Sequence, residues 1–224
     1  MNPILFLKKA VRRSCALCRR CFRKLKALIH RLHYAPDYLV LVNRAHPIRP
    51  FFSRTIDLCP VKSIPGKAYL AEKQTGASFS LLCAALNDVG IEIAAAAAYR
   101  SLRDQNRLMR SYHARYGTAY AEATVAQPGT SEHHTGFAID IVPKVRGVYL
   151  TENKDMLNEQ DVFSSIHALL PEYGFILRYP KDGERITGYA YEPWHIRYVG
   201  KAAAREIHDR QLTLEEYLNE KTEA

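Results

Sequence analysis

Residues 131–140 read Ser-Glu-His-His-Thr-Gly-Phe-Ala-Ile-Asp, and residues 192–197 read Glu-Pro-Trp-His-Ile-Arg. Together they offer imidazoles at His133 and His195, a carboxylate at Asp140 and a spare carboxylate at Glu192. Two imidazoles and a carboxylate suit a hydrolytic Zn²⁺ centre, which commonly keeps three protein ligands and an open position for water. Glu192 would then be free to act as general base, because a metal lowers the pKa of the water it holds. Alone, the first stretch is equally compatible with His133 capping a turn and Asp140 making a structural ion pair. The second stretch shifts the balance, since Pro193 restrains the backbone between a carboxylate and an imidazole.

These groups need elements to aim them. A strand over 137–142 places Ala138, Asp140 and Val142 on one face and the apolar Ile139 and Ile141 on the other. An aspartate so placed is costly to bury without compensation. Gly136 permits a tight approach that folds His133 back over Asp140. In a second strand, over 195–199, Trp194 and Ile196 point opposite to His195 and Arg197. The remaining expectations are an extended lead-in from Pro36 to Pro65 with one short strand or lining segment (Tyr38–Val42), and a helix over 68–89 stopped by Gly90. A strand follows over 91–98 although its five alanines favour helix, then a helix over 102–116. Beyond the 137–142 strand come a helix over 161–172, short strands over 174–178 and 185–191 around the turn Lys181-Asp182-Gly183, and helices over 201–209 and 213–220. Helices with antiparallel strands close in sequence give an α+β class: a small antiparallel sheet carrying the metal site, flanked by helices.

Charge divides the 224 residues unevenly. Residues 1–36 carry ten of the 32 Lys/Arg and no acid, whereas the rest holds 22 basic against 23 acidic residues. The division is therefore a basic amphipathic arm (1–36) ahead of a nearly neutral catalytic domain (37–224). The arm, helical over 3–33, suits an anionic membrane surface; nucleic acid is a weaker competitor, and a solvated helix packed on its own domain is the plain alternative. Ile4-Leu5-Phe6-Leu7 is too short for an export signal, and no run approaches the ~18 apolar residues of a membrane span. Compartment is left open between the cell envelope and the cytoplasm. Cys15, Cys18 and Cys21 lack a fourth ligand at a recognisable spacing and read as one side of a helix; with Cys59 and Cys83 they give no sign of a disulfide scaffold.

The pattern S-x-H-x-x-G-x-A-x-D (Ser131, His133, Gly136, Ala138, Asp140) followed by E-x-W-H (Glu192, Trp194, His195) resembles the VanY-type zinc D-alanyl-D-alanine carboxypeptidases, within the LAS-fold peptidoglycan peptidases. Tyr99-Arg100-Ser101 with Gln105, Leu41-Val42-Asn43 and Tyr191–Gly200 extend the resemblance across about residues 38–205. It implies His133, Asp140 and His195 as ligands of one zinc per chain and Glu192 as catalytic base. It also implies Arg100 as the group that grips substrate, with Ser131, Gln105 and Ser101 lining the pocket. The implied substrate is the D-Ala-D-Ala end of a peptidoglycan stem peptide, cut by a monomer. An L,D-carboxypeptidase or endopeptidase with the same site is the alternative; a non-catalytic zinc domain, or a binder acting through its arm, is one of another class. Position 134 departs from the family, with His where a neutral amide is more common, and is expected at the rim.

Overall fold

The computed structural model describes residues 36–49, 52 and 56–223. The basic arm, the helix expected in it and Cys15, Cys18 and Cys21 lie outside the described residues, apart from Pro36.

The chain runs β1 (Leu58–Pro60), β2 (Leu70–Glu72), α1 (Lys73–Asp88), β3 (Ile93–Ala97), α2 (Leu102–Tyr116) and α3 (Thr118–Thr124). A 3-10 turn (Glu132–Thr135) leads into β4 (Ala138–Val145) and β5 (Val148–Tyr149). Helices α4 (Asn153–Asn158) and α5 (Gln160–Leu169), a second 3-10 turn (Leu170–Tyr173) and β6 (Phe175–Leu177) follow. The described chain ends with α6 (Glu184–Thr187), β7 (His195–Tyr198), α7 (Lys201–Asp209) and α8 (Leu214–Glu223). Strands β3-β4-β7-β6 form an antiparallel sheet in that order, with β5 on β4, while β1 and β2 make a separate hairpin. The class is α+β, as expected.

The alanine run forms a strand because its surroundings override propensity. Ala94 and Ala95 are fully buried, β3 pairs with β4, and Lys62–Ile64 hydrogen-bonds along its other edge. The core behind the sheet gathers Phe79, Leu82, Ile139, Ile141, Ile166 and Ile196, none measurably exposed. At roughly 25 cal/mol per Å² of buried apolar area, such residues supply the main drive for folding.

Two expectations need correction. Residues 185–191 form no strand: α6 takes Glu184–Thr187, closed by Gly188 at φ +76, and the chain then runs irregularly to β7. The turn Lys181-Asp182-Gly183 suggested a hairpin, but the backbone after it closes on itself instead, Thr187 N–H donating to the Gly183 carbonyl and Gly188 N–H to the Glu184 carbonyl. The Tyr38–Val42 segment is a lining one and not a strand, with Val42 buried and the carbonyls of Tyr38 and Val40 accepting from Arg197.

Candidate metal centre

Register places the first two candidate ligands. Antiparallel pairing of β4 and β7 sets Asp140 directly opposite His195. The third comes from the 3-10 turn, which ends on Gly136 at φ +75, an αL position that costs other residues energy. A Cβ there would also sit 3.1 Å from the Glu72 nitrogen, where Glu72 N–H donates to the Gly136 carbonyl (2.9 Å). This glycine lets the chain reverse against β2 and carries His133 over Asp140.

The result is a tight trio. His133 Nε2 lies 3.2 Å from Asp140 Oδ2, and His195 Nδ1 lies 3.0 Å from Asp140 Oδ1. One donor atom from each residue falls within 4.8 Å of the others. The ring of His133 is oriented by Nδ1, 2.8 Å from the Ala98 carbonyl oxygen, which requires that nitrogen to carry the proton and leaves Nε2 as the donor toward the trio. Asp140 Oδ1 is buried without a hydrogen bond. A buried carboxylate oxygen without a donor is unfavourable, and a divalent cation between these three residues satisfies it. The donor set therefore fits a Zn²⁺-type ion.

Charges around the trio are strongly coupled. Burial opposes ionisation of Asp140, but His133 and His195 hold its carboxyl far below the usual range. Burial also favours the neutral His133 ring. For His195 burial acts in the same direction, yet Asp140, Glu132 and Glu192 outweigh it and push the ring up to about 10. Glu192 sits at the open side, Oε2 being 3.7 Å from His195 Nδ1. Burial, opposed by His195 and aided by Asp140, pushes this carboxyl up to about 7, the range of an effective general base.

A cleft of about 230 Å³ opens over the trio and includes Arg100, Gln105, Ser131, Tyr179, Glu192 and Trp194 in its wall. Gln105 is fully buried: its Oε1 accepts from Arg100 Nη1 (3.0 Å) and its Nε2 donates to the Ala126 carbonyl (2.7 Å). Gln105 thus holds the guanidinium. Ser131, also buried, is in the wall itself. Ser101 is not: it caps α2, its Oγ accepting from Asp104 N–H and donating to Asp104 Oδ2, and it faces a neighbouring depression shared with Arg103 and Leu102.

His134 is not a rim residue. Its side chain is buried, with Nε2 accepting from Gly129 N–H (3.1 Å) and Nδ1 2.6 Å from the Arg100 carbonyl oxygen. Those two contacts require one neutral tautomer, protonated at Nδ1. The ring ties the loop before the 3-10 turn to the backbone of Arg100.

Sequence reasoning missed Glu132, Tyr179 and Tyr189 in the cleft wall, and Trp194 lines the cleft as well as filling the back of its strand. Arg197, expected beside the imidazole, is instead fully buried, donating to the Tyr38 and Val40 carbonyls and pairing with Glu132. A signal existed: Arg178 and Arg197 each sit within runs of core-forming residues, and a buried arginine demands a buried carboxylate.

A family model described as D-alanyl-D-alanine carboxypeptidase (VanY) matches residues 68–201. The Bacillus subtilis protein YodJ is 41% identical over 157 residues, covering 67% of this chain and 54% of its own length. The chain thus spans about half the length of that relative. Among solved structures, the LdcB LD-carboxypeptidase superposes with a TM-score of 0.70 at 35% identity, covering 81% of this chain and 86% of that one. A mutant of the vancomycin-resistance D,D-pentapeptidase VanY in complex with Zn(II) gives 0.65 at 33%, covering 82% and 99%.

Proposed function

The chain belongs to the VanY family of D-alanyl-D-alanine carboxypeptidases, and on that footing we propose that it is a zinc-dependent carboxypeptidase that removes the C-terminal D-Ala from peptidoglycan stem peptides. The observation that carries this reading is the His133, Asp140 and His195 trio with Glu192 at its open side. Zinc, when bound by the three, supplies a Lewis acid and a nucleophile at neutral pH.

The chain's own residues do the rest. Glu192 takes a proton from the attacking water as its oxygen adds to the scissile carbonyl carbon. It then delivers that proton to the leaving nitrogen as the C–N bond breaks, so the carboxylate ends as it began. Arg100, steadied by Gln105, offers a guanidinium that can take a carboxylate in parallel bonds or support the charge growing on the carbonyl oxygen. Ser131 is a polar group in the same wall and a candidate substrate contact. Ser101, committed to its helix cap, supports α2 and through it Arg100.

A second reading, an L,D-carboxypeptidase, is favoured by the likeness to LdcB. One experiment separates the two: zinc-loaded full-length protein is given stem peptides ending in a D,D- or an L,D-linked residue, and the released amino acid is identified by mass. Release from the D,D substrate supports the first reading; release from neither overturns both.

The division into a basic arm (1–36) and a catalytic domain (37–224) belongs to the same proposal. Residues 1–33 serve as an address for an anionic membrane surface, and the domain works as a monomer. Among the described residues no helix is long and apolar enough to cross a membrane. Deleting 1–33 is expected to abolish binding to anionic liposomes and leave hydrolysis unchanged.

A further inference from the structure

Glu132 stands between Ser131 and His133, is 2% exposed, and takes no part in the reaction above. Its Oε1 accepts from Arg178 Nε (2.8 Å) and lies 2.8 Å from Arg197 Nη1. Arg178 in turn makes a two-pronged pair with Glu215 in the first turn of α8, at 2.6 and 2.8 Å. Two guanidiniums face two carboxylates, so the buried cluster is neutral as a whole and needs nothing more from Glu132. Its second oxygen nevertheless points elsewhere. Oε2 lies 3.6 Å from His195 Nε2, and both atoms are buried without a hydrogen bond.

The two imidazoles of the trio are therefore not equivalent. His133 faces the trio with Nε2 and has a neutral carbonyl behind it; His195 faces it with Nδ1 and has a carboxylate behind it. We propose that Glu132 is a positioning residue for the metal site, its Oε2 accepting the Nε2 proton of His195 and so fixing the tautomer whose Nδ1 lone pair faces Asp140. A carboxylate in this place orients the ring and makes it a stronger donor, and losing such a partner costs roughly 10–100-fold in metal affinity. The bond from Arg178 Nε holds Glu132 in place, and α8 reaches the metal site through Glu215. The inference rests on the zinc reading of the site, but not on the identity of the substrate.

The test reads zinc, not turnover. Zinc affinity of the full chain is measured by chelator competition, alongside the unfolding temperature of the metal-free protein and the imidazole N–H resonances of the zinc-loaded protein. Glu132→Gln is expected to weaken zinc by about 10–100-fold and to shift or remove a protected Nε2–H signal of His195. Because Gln leaves two buried cations facing one anion, the variant has a charge-balanced companion, Glu132→Met with Arg197→Met, which keeps the Arg178–Glu215 pair intact; the same loss of zinc affinity is expected there. Arg197→Met alone damages the cluster but keeps the carboxylate, and its zinc affinity should stay near wild type. Unchanged zinc affinity in a folded Glu132 variant overturns the inference, as does an equal loss in Arg197→Met. Wild-type protein that binds no zinc instead overturns the proposed function itself.

Discussion

Asp140 and His195 face each other across adjacent antiparallel strands, with Oδ1 of one 3.0 Å from Nδ1 of the other. With these two residues as ligands, as proposed, the metal would be a staple between β4 and β7 as well as a reagent. Chelation should therefore lower the unfolding temperature as well as stop hydrolysis. Zinc at about 100 times its dissociation constant contributes about 2.7 kcal/mol, or roughly 5–10 °C for a chain of this size. Scanning calorimetry with and without chelator checks this, and zinc added back should restore both properties.

In the proposed function Glu192 serves the chemistry and not the ligation. Glu192→Gln is expected to keep one zinc per chain and to lose about 10²–10⁴-fold in kcat. An active, zinc-replete variant would sink the assignment of the base. The wild-type acid limb follows from the same group: once the carboxyl is protonated, kcat/KM falls tenfold per pH unit. Burial pushes that carboxyl up to about 7 and a bound dication pulls it down, so the limb should lie below pH 7.

Arg100 is gripped from two sides, by Gln105 at its guanidinium and by His134 at its carbonyl. Arg100→Ala should lower kcat/KM by about 10–100-fold, the worth of a lost charge-assisted bond. Gln105→Leu should act in the same direction more weakly, because the guanidinium remains but is no longer held. Zinc content should not change in either variant. Steady-state kinetics with metal analysis on the same samples tests both.

His134 should tolerate glutamine and not leucine. An amide can still accept from Gly129 N–H and donate to the Arg100 carbonyl, as the ring does. Leucine leaves both backbone groups unpaired, at about 1–3 kcal/mol for each. Urea denaturation of His134→Gln and His134→Leu distinguishes these outcomes.

Much of the site was legible from residue types alone. Period-two alternation put Asp140 on the face opposite Ile139 and Ile141, and the proline and tryptophan around His195 marked a restrained turn into a strand. The helix at 102–116 was equally plain, because Ser101 and Gly117 bound it with a cap at each end. The 185–191 segment differs because the turn Lys181-Asp182-Gly183 can lead into a hairpin or a helical turn, and here Thr187 and Gly188 bond back to Gly183 and Glu184. His134 was misplaced for a related reason: whether an imidazole lies at a rim or under a loop depends on which backbone groups arrive beside it. Here those are Gly129 N–H and the Arg100 carbonyl, the latter 34 residues away in the chain.

Primary structure therefore specified the donor types, the spare carboxylate and the strand faces, since these follow from side-chain chemistry and backbone period. The partners behind them were decided only in three dimensions. Glu132, Arg178, Arg197 and Glu215 come from the 3-10 turn, the end of β6, β7 and α8, and no local pattern announces that they will meet. Buried charges can persist only if opposite charges are delivered to the same place. That delivery is a property of the packed fold, and it also sets the second carboxylate behind His195.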